Sequence, residues 1–338
     1  MAENIDRPDQ IIKRFFLSNK CCVKKNPQCS GTIVNAHTIS KKYLKFISSE
    51  DNHIYYPERS SFNKNGLYQF SCKGINKCST FLGFCDYHDK NLFSSFENKD
   101  YDGRYKQIFD LSFRVLCREY FQKKCLLKFL NKLLQGKLPY STNLSQEKRE
   151  IFILNKNFIA QEVREHQNLF NKLKSYGANK LKYVQIKLSK IPFATTGVIF
   201  PCSNYKGEIL QTESELQKGI IYFVLPVQKY SYVVFSFPSD KKRTTIQANF
   251  TNSIIELIEE DKNYFIDYLL TLLIDNNDIV AIEPKWYEET DENLKSKINE
   301  LINRRVGQYF NHSMQPIKFL DFSGNLQFTI ISTDKRNT

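Results

Sequence analysis

The chain has 338 residues, of which 41% are apolar and 14% aromatic, with only 12 Gly and 10 Pro. That composition excludes a disordered or low-complexity protein and predicts a folded chain with room for two or three domains. The formal charge of +13 is uneven: residues 101–190 hold 19 Lys and Arg against 7 Asp and Glu, whereas residues 191–338 hold 15 against 19. A surplus confined to the middle of the chain points to a polyanionic partner there, most often nucleic acid, DNA or RNA.

No membrane partner is expected. The most hydrophobic run, Tyr264 to Ile274, is too short to cross a bilayer and contains Asp267. The opening MAENIDRPDQ lacks the apolar core of a signal peptide, so a cytoplasmic location is expected. Nine cysteines, an odd and unevenly spaced set, then read as reduced thiols with a metal site rather than a disulfide framework.

Residues 1–100 read as an irregular module held by that metal. Cys22, Cys29, Cys85 and His88 offer two ligand pairs of the kind that tetrahedral Zn²⁺ takes. Cys85-x-x-His88 is a well-spaced pair. Cys22 and Cys29 have six residues between them, Cys21 competes with Cys22, and Cys72 and Cys78 are further candidates. One short helix is expected after His37, with Ser40 as its cap.

From residue 101 the pattern changes. Phe109, Phe113, Leu116, Tyr120, Leu127, Leu130 and Leu134 recur at helical spacing, with basic residues between them. Gly136 and Pro139 break this helix, and Ser145 caps a second that ends near Gly177. The two predict an antiparallel helical hairpin over 101–178. Arg114, Arg118, Lys124, Lys128 and Lys132 are its candidate nucleic-acid contacts, while His166 on the second apolar stripe reads as a buried, hydrogen-bonded histidine. Beyond 179, short β-branched and aromatic runs alternate with helices near 254–274 and 291–306, predicting an α+β domain with a mostly antiparallel sheet. Its role is left open; it is the candidate surface for a protein partner or a second copy of the chain. The chain contains no P-loop, dinucleotide glycine fingerprint or Gly-x-Ser-x-Gly elbow.

The order of elements, a Cys pair, then Ala36-His37-Thr38, then Cys85-x-x-His88-Asp89, resembles the HNH-type ββα-metal nucleases built on a treble clef. The resemblance covers about residues 20–95. It implies a structural Zn²⁺, a general base at His37, a catalytic Mg²⁺ or Mn²⁺ held by Asp89, and Thr80 in the place of the orienting Asn. Ala36 stands where many of these enzymes carry a metal-binding acid, which leaves His53, Asp86 or Glu97 to partner Asp89. The whole chain also resembles a set of bacterial proteins sharing its CSG, AHT and STFLGFCDYHD strings, a likeness that implies no activity. The expected protein is thus a zinc-stabilised, HNH-like endonuclease or nucleic-acid-processing protein, in a setting such as antiviral defence. The alternative is a non-catalytic zinc-binding module that binds nucleic acid or a partner, as a sensor or scaffold.

Overall fold

The computed structural model describes residues 14–24, 26–58, 69–138, 141, 144–177, 180–212, 218–239, 245–275, 279–311 and 319–336. Two antiparallel sheets organise them. The small one pairs β1 (Ile33–His37) with β4 (Thr80–Cys85). The large one has eight strands in the order β10-β5-β8-β7-β6-β9-β2-β3, where β2 is His53–Glu58, β3 Gln69–Gly74, β5 Leu181–Ser189, β6 Phe193–Ile199, β7 Ile220–Val227, β8 Tyr230–Pro238, β9 Val280–Ile282 and β10 Ile330–Arg336.

The large sheet buries both faces. In β7, Ile221, Phe223, Leu225 and Val227 belong to one apolar cluster, while Ile220, Tyr222 and Val224 belong to the other. This is the two-residue period of a pleated strand. The first face is covered by the helical hairpin and the metal module, including Phe84, Phe93, Ile108, Val115 and Leu173. The second is covered by α5 (Ile246–Glu260), α6 (Lys262–Asp275) and α8 (Glu292–Asn311), with α7 (Pro284–Glu289) leading into the last.

The helical hairpin consists of α3 (Tyr105–Leu134) and α4 (Gln146–Tyr176). Its antiparallel course is fixed by contacts pairing early residues of one helix with late residues of the other. Phe113 stacks on Phe170 and Lys123 binds Glu162, while Arg149 donates to the Leu134 carbonyl. Ser145 caps α4 by accepting from the Lys148 N–H, and Gly177 ends it with φ of +61°. His166 donates its Nδ1–H to the Glu162 backbone carbonyl at 2.7 Å and is 1% exposed, the buried histidine that its position implied.

Three expectations need correction. The proposed division at 1–100, 101–178 and 179–338 does not separate independent layers, because β2 and β3 complete the large sheet and Tyr55 of β2 registers against Ile282 of β9. The helix expected over 254–274 is two helices broken at Asp261, which has extended backbone. Ser40 holds the N-cap position of the helix after His37, but its side chain makes no capping bond; that helix, α1 (Lys41–Leu44), is a single turn, and the Ser40 hydroxyl donates instead to Glu97.

Candidate functional site

Backbone pairing selects the cysteines. The Cys21 N–H donates to the Leu82 carbonyl and the Val23 N–H to that of Gly83, so residues 21–23 run along β4. Neighbouring side chains on extended backbone point opposite ways, which leaves Cys21 exposed and turns Cys22 inward. The Cys29 N–H closes a turn onto the Asn26 carbonyl, and the Asp86 N–H ties the end of β4 to Thr32. Helix α2 (Asp86–Glu97) starts immediately after Cys85, and His88 sits in its first turn.

These connections bring Cys22, Cys29, Cys85 and His88 together, with one ligand atom from each lying within 4.8 Å of all the others. His88 Nδ1 is 3.3 Å from Cys22 Sγ and 3.1 Å from Cys85 Sγ. Cys22, Cys85 and His88 are buried and Cys29 is half-buried, a closed arrangement. Three thiols and an imidazole are a donor set suited to a tetrahedral metal ion such as zinc in a structural site. Burial works against ionising the Cys85 thiol, but the backbone at His88 and Ser30 and the Ser30 hydroxyl more than offset it, and its pKa is held low. Burial, with the charge of Cys85 beside it, pushes Cys22 up. A cation bound among the sulfurs removes that repulsion. The other candidates stand apart: Cys72 is exposed on β3, and the Cys78 thiol faces the carbonyls of Lys73 and Gly74.

A cavity of about 400 Å³ adjoins the cluster, lined by His37, Ser40, Lys41, Lys42, Asp89, Lys90, Glu97, Asn98 and Arg114. Strand β1 delivers His37 and α2 delivers Asp89 and Glu97. Thr80 registers against His37 across the β1–β4 ladder but does not line the cavity. Burial, helped by the charges of Lys41 and Arg114, lowers the His37 pKa to about 4. The imidazole is therefore neutral near pH 7, and its buried Nε2 has no hydrogen-bond partner.

The floor of the cavity departs from expectation. Arg114, read from the sequence as a phosphate contact, is 2% exposed. Its guanidinium binds Glu97, donates to Asp89 Oδ1 at 2.8 Å, and lies over the rings of Phe93 and Phe96 at 4.5 and 5.4 Å. Burial raises the Asp89 pKa, against the pull of Arg114. Arg118 is likewise buried, at 6% exposure, and bound to Glu119. Both leave the list of surface contacts, because the first half of α3 is enclosed by the sheet and the metal module. Lys124, Lys128 and Lys132 are exposed at four-residue spacing on the second half.

The expected catalytic Mg²⁺ or Mn²⁺ does not fit these residues. Both carboxylates are committed to Arg114, and among the described residues His37, Asp89 and Glu97 do not converge into a second ligand group. Glu97 does join Asp89 as the sequence allowed. His53 pairs with Asp51 and Asp86 with Lys90, and neither lines the cavity.

No protein-family model, curated protein or solved structure matches the chain. Among the described residues, no helix is long and apolar enough to cross a membrane.

The His37 environment has a measurable consequence. Its folded pKa of about 4 lies below the ordinary histidine value of 6.5, so unfolding takes up a proton between those limits. Stability from His37 is complete above pH 6.5 and is lost as pH falls towards 4, by on the order of 2–3 kcal/mol. Urea unfolding across pH 4–7 should show that steep segment in wild type and a flatter one in His37→Gln. Equal slopes would place the imidazole in water.

Proposed function

We propose that the chain is a zinc-stabilised, HNH-like nucleic-acid-processing protein whose reactive pocket is built around His37. The observation that carries this reading is the convergence of His37 and Asp89, 52 positions apart in the sequence, on one cavity beside the Cys–His cluster. The local order supports it. A cysteine pair precedes β1, β1 pairs with β4, and α2 follows with His88 in its first turn, the order that a ββα reading calls for.

In this reading Cys22, Cys29, Cys85 and His88 hold Zn²⁺, which fixes the relative positions of β1 and α2. A neutral His37 accepts the proton of the water that attacks a phosphodiester. Lys41 and Lys42 line the same cavity and provide positive charge for the phosphate. Lys124, Lys128 and Lys132 supply a basic stripe for the backbone of DNA or RNA. The test is cleavage of single- and double-stranded DNA and RNA by wild type and by His37→Ala, with zinc content measured in both. Loss of cleavage with zinc retained supports the reading; equal cleavage removes His37 from it.

Non-catalytic recognition is the second reading, favoured by the commitment of both cavity carboxylates to Arg114. Either reading requires the basic stripe to bind. Replacing Lys124, Lys128 and Lys132 together by glutamine should weaken nucleic-acid binding and lower the log–log salt slope by about 2–3, at roughly 0.7–0.9 per lost phosphate contact. An unchanged slope in a fluorescence-anisotropy titration would remove the stripe from the interface.

A further inference from the structure

The chemistry of the cavity floor goes further. Two acidic groups and an imidazole on one cavity wall ordinarily invite a divalent cation. Here the cationic position is taken by the chain itself. Arg114 comes from α3, outside the β1–β4–α2 unit, and is 2% exposed. It is held by Asp89 and Glu97, flanked by Phe93 and Phe96, and backed by Ser40, whose hydroxyl donates to the second Glu97 oxygen at 2.8 Å. Its Nε has no hydrogen-bond partner.

Above this floor the cations differ in what they face. Lys42 is bound by Asp100 at 2.7 Å and by the Lys99 carbonyl, and Lys90 is bound by Asp86. Lys41 has no acidic partner among the described residues, yet lies close enough to His37 for its charge to act on the ring. A lysine without a counter-ion, a neutral imidazole and a buried guanidinium with an unused N–H line a space large enough for a phosphate group. Phosphate oxygens can take donors from a lysine ammonium and from a guanidinium without a bridging metal.

We propose that this cavity binds the phosphate group of a phosphoester without a second metal ion, Arg114 serving as its resident cation and Lys41 as the phosphate's first contact. This rests on the reading of the pocket as a phosphate-handling site, but not on whether it cleaves. Arg114 is a positioning residue here, since it offsets part of the charge of Asp89 and Glu97 and so weakens their repulsion of the anion.

The test uses the full chain with its structural zinc in place, passed over a chelating resin to remove loosely held divalent ions, with zinc stoichiometry confirmed. Inorganic phosphate and a short phosphodiester, thymidylyl-thymidine, are titrated by calorimetry and by phosphorus NMR, with and without millimolar Mg²⁺. The expected result is an affinity within about twofold with and without Mg²⁺, weakened at least tenfold in Lys41→Gln. The exposed position of Lys41 makes that variant safe for folding. Manganese added to the same protein should give no stoichiometric bound-ion signal in electron paramagnetic resonance.

Binding that appears only with Mg²⁺ or Mn²⁺, or a bound Mn²⁺ signal lost in Asp89→Asn, would overturn the inference by showing that Arg114 yields to a metal. Failure of either anion to bind under any condition would overturn it as well, as would full binding by Lys41→Gln. Cleavage is scored separately. Metal-free binding with no cleavage by wild type retains the inference and removes the nuclease reading; cleavage that needs a second metal does the reverse.

Discussion

Replacing Arg114 by methionine should destabilise the chain by about 3 kcal/mol, the low end of the cost of breaking a buried ion pair. The variant keeps most of the apolar volume against Phe93 and Phe96 but strands Asp89 and Glu97 together. The low end applies because the two carboxylates retain 23% and 34% side-chain exposure, so water absorbs part of the loss. Adding Asp89→Asn and Glu97→Gln to the methionine variant should recover much of the deficit, since the uncompensated charges are then gone. Urea unfolding of the three proteins measures both effects. A loss below about 1 kcal/mol for Arg114→Met would mean that the cluster is solvated and that Arg114 does not organise the cavity.

The larger effect is expected at the Cys–His cluster. Structural zinc contributes apparent binding energies of about 10–16 kcal/mol in small zinc-finger peptides. In this chain the cluster joins the segment before β1 to the first turn of α2, 66 positions apart between Cys22 and His88. The thiol-bearing residues Cys22 and Cys85 also belong to the apolar cluster on the first face of the large sheet. Chelation, or Cys85→Ser, should therefore lower the melting temperature by on the order of 10 °C and open residues around β1, β4 and α2 to hydrogen exchange before the large sheet. Acid should release the metal as well, because the ligands must be deprotonated to bind. Unchanged melting after complete chelation would show that the cluster is ordinary buried thiols.

What the sequence disclosed follows from how local each signal is. The helical hairpin was legible because its apolar residues recur at steps of three and four over thirty residues, with Gly136 and Ser145 marking the turn. Strands β5, β7 and β8 were legible as bounded β-branched and aromatic runs. Strands β2 and β3 were not: β2 carries Pro57, β3 is a short edge strand with Ser71, Cys72 and Lys73, and β9, which joins β2 to the rest of the sheet, lies more than 200 positions away. Pairing at that distance leaves no mark in a local period.

The same contrast holds at the site. Cys85 and His88 announced themselves by spacing, and the choice of Cys22 over Cys21 needed the backbone bonds to β4. His37 and Asp89 were singled out only by the ββα resemblance, and both line one cavity. The fate of Arg114 was hidden because a basic residue between apolar ones on a helix reads as solvent-facing. Here the polar side of α3 faces α2 rather than water. Glu97 could have been paired with Asp89 more firmly, since eight residues along a helix keep two side chains on one broad face.

X-ray absorption at the zinc edge of the protein as purified decides whether Cys22, Cys29, Cys85 and His88 hold a metal ion. One zinc per chain is expected, with three sulfur ligands at about 2.3 Å and one nitrogen at about 2.0–2.1 Å, and loss of the sulfur shell's third member in Cys29→Ser. A substoichiometric metal, or a shell of oxygen and nitrogen alone, would contradict that expectation.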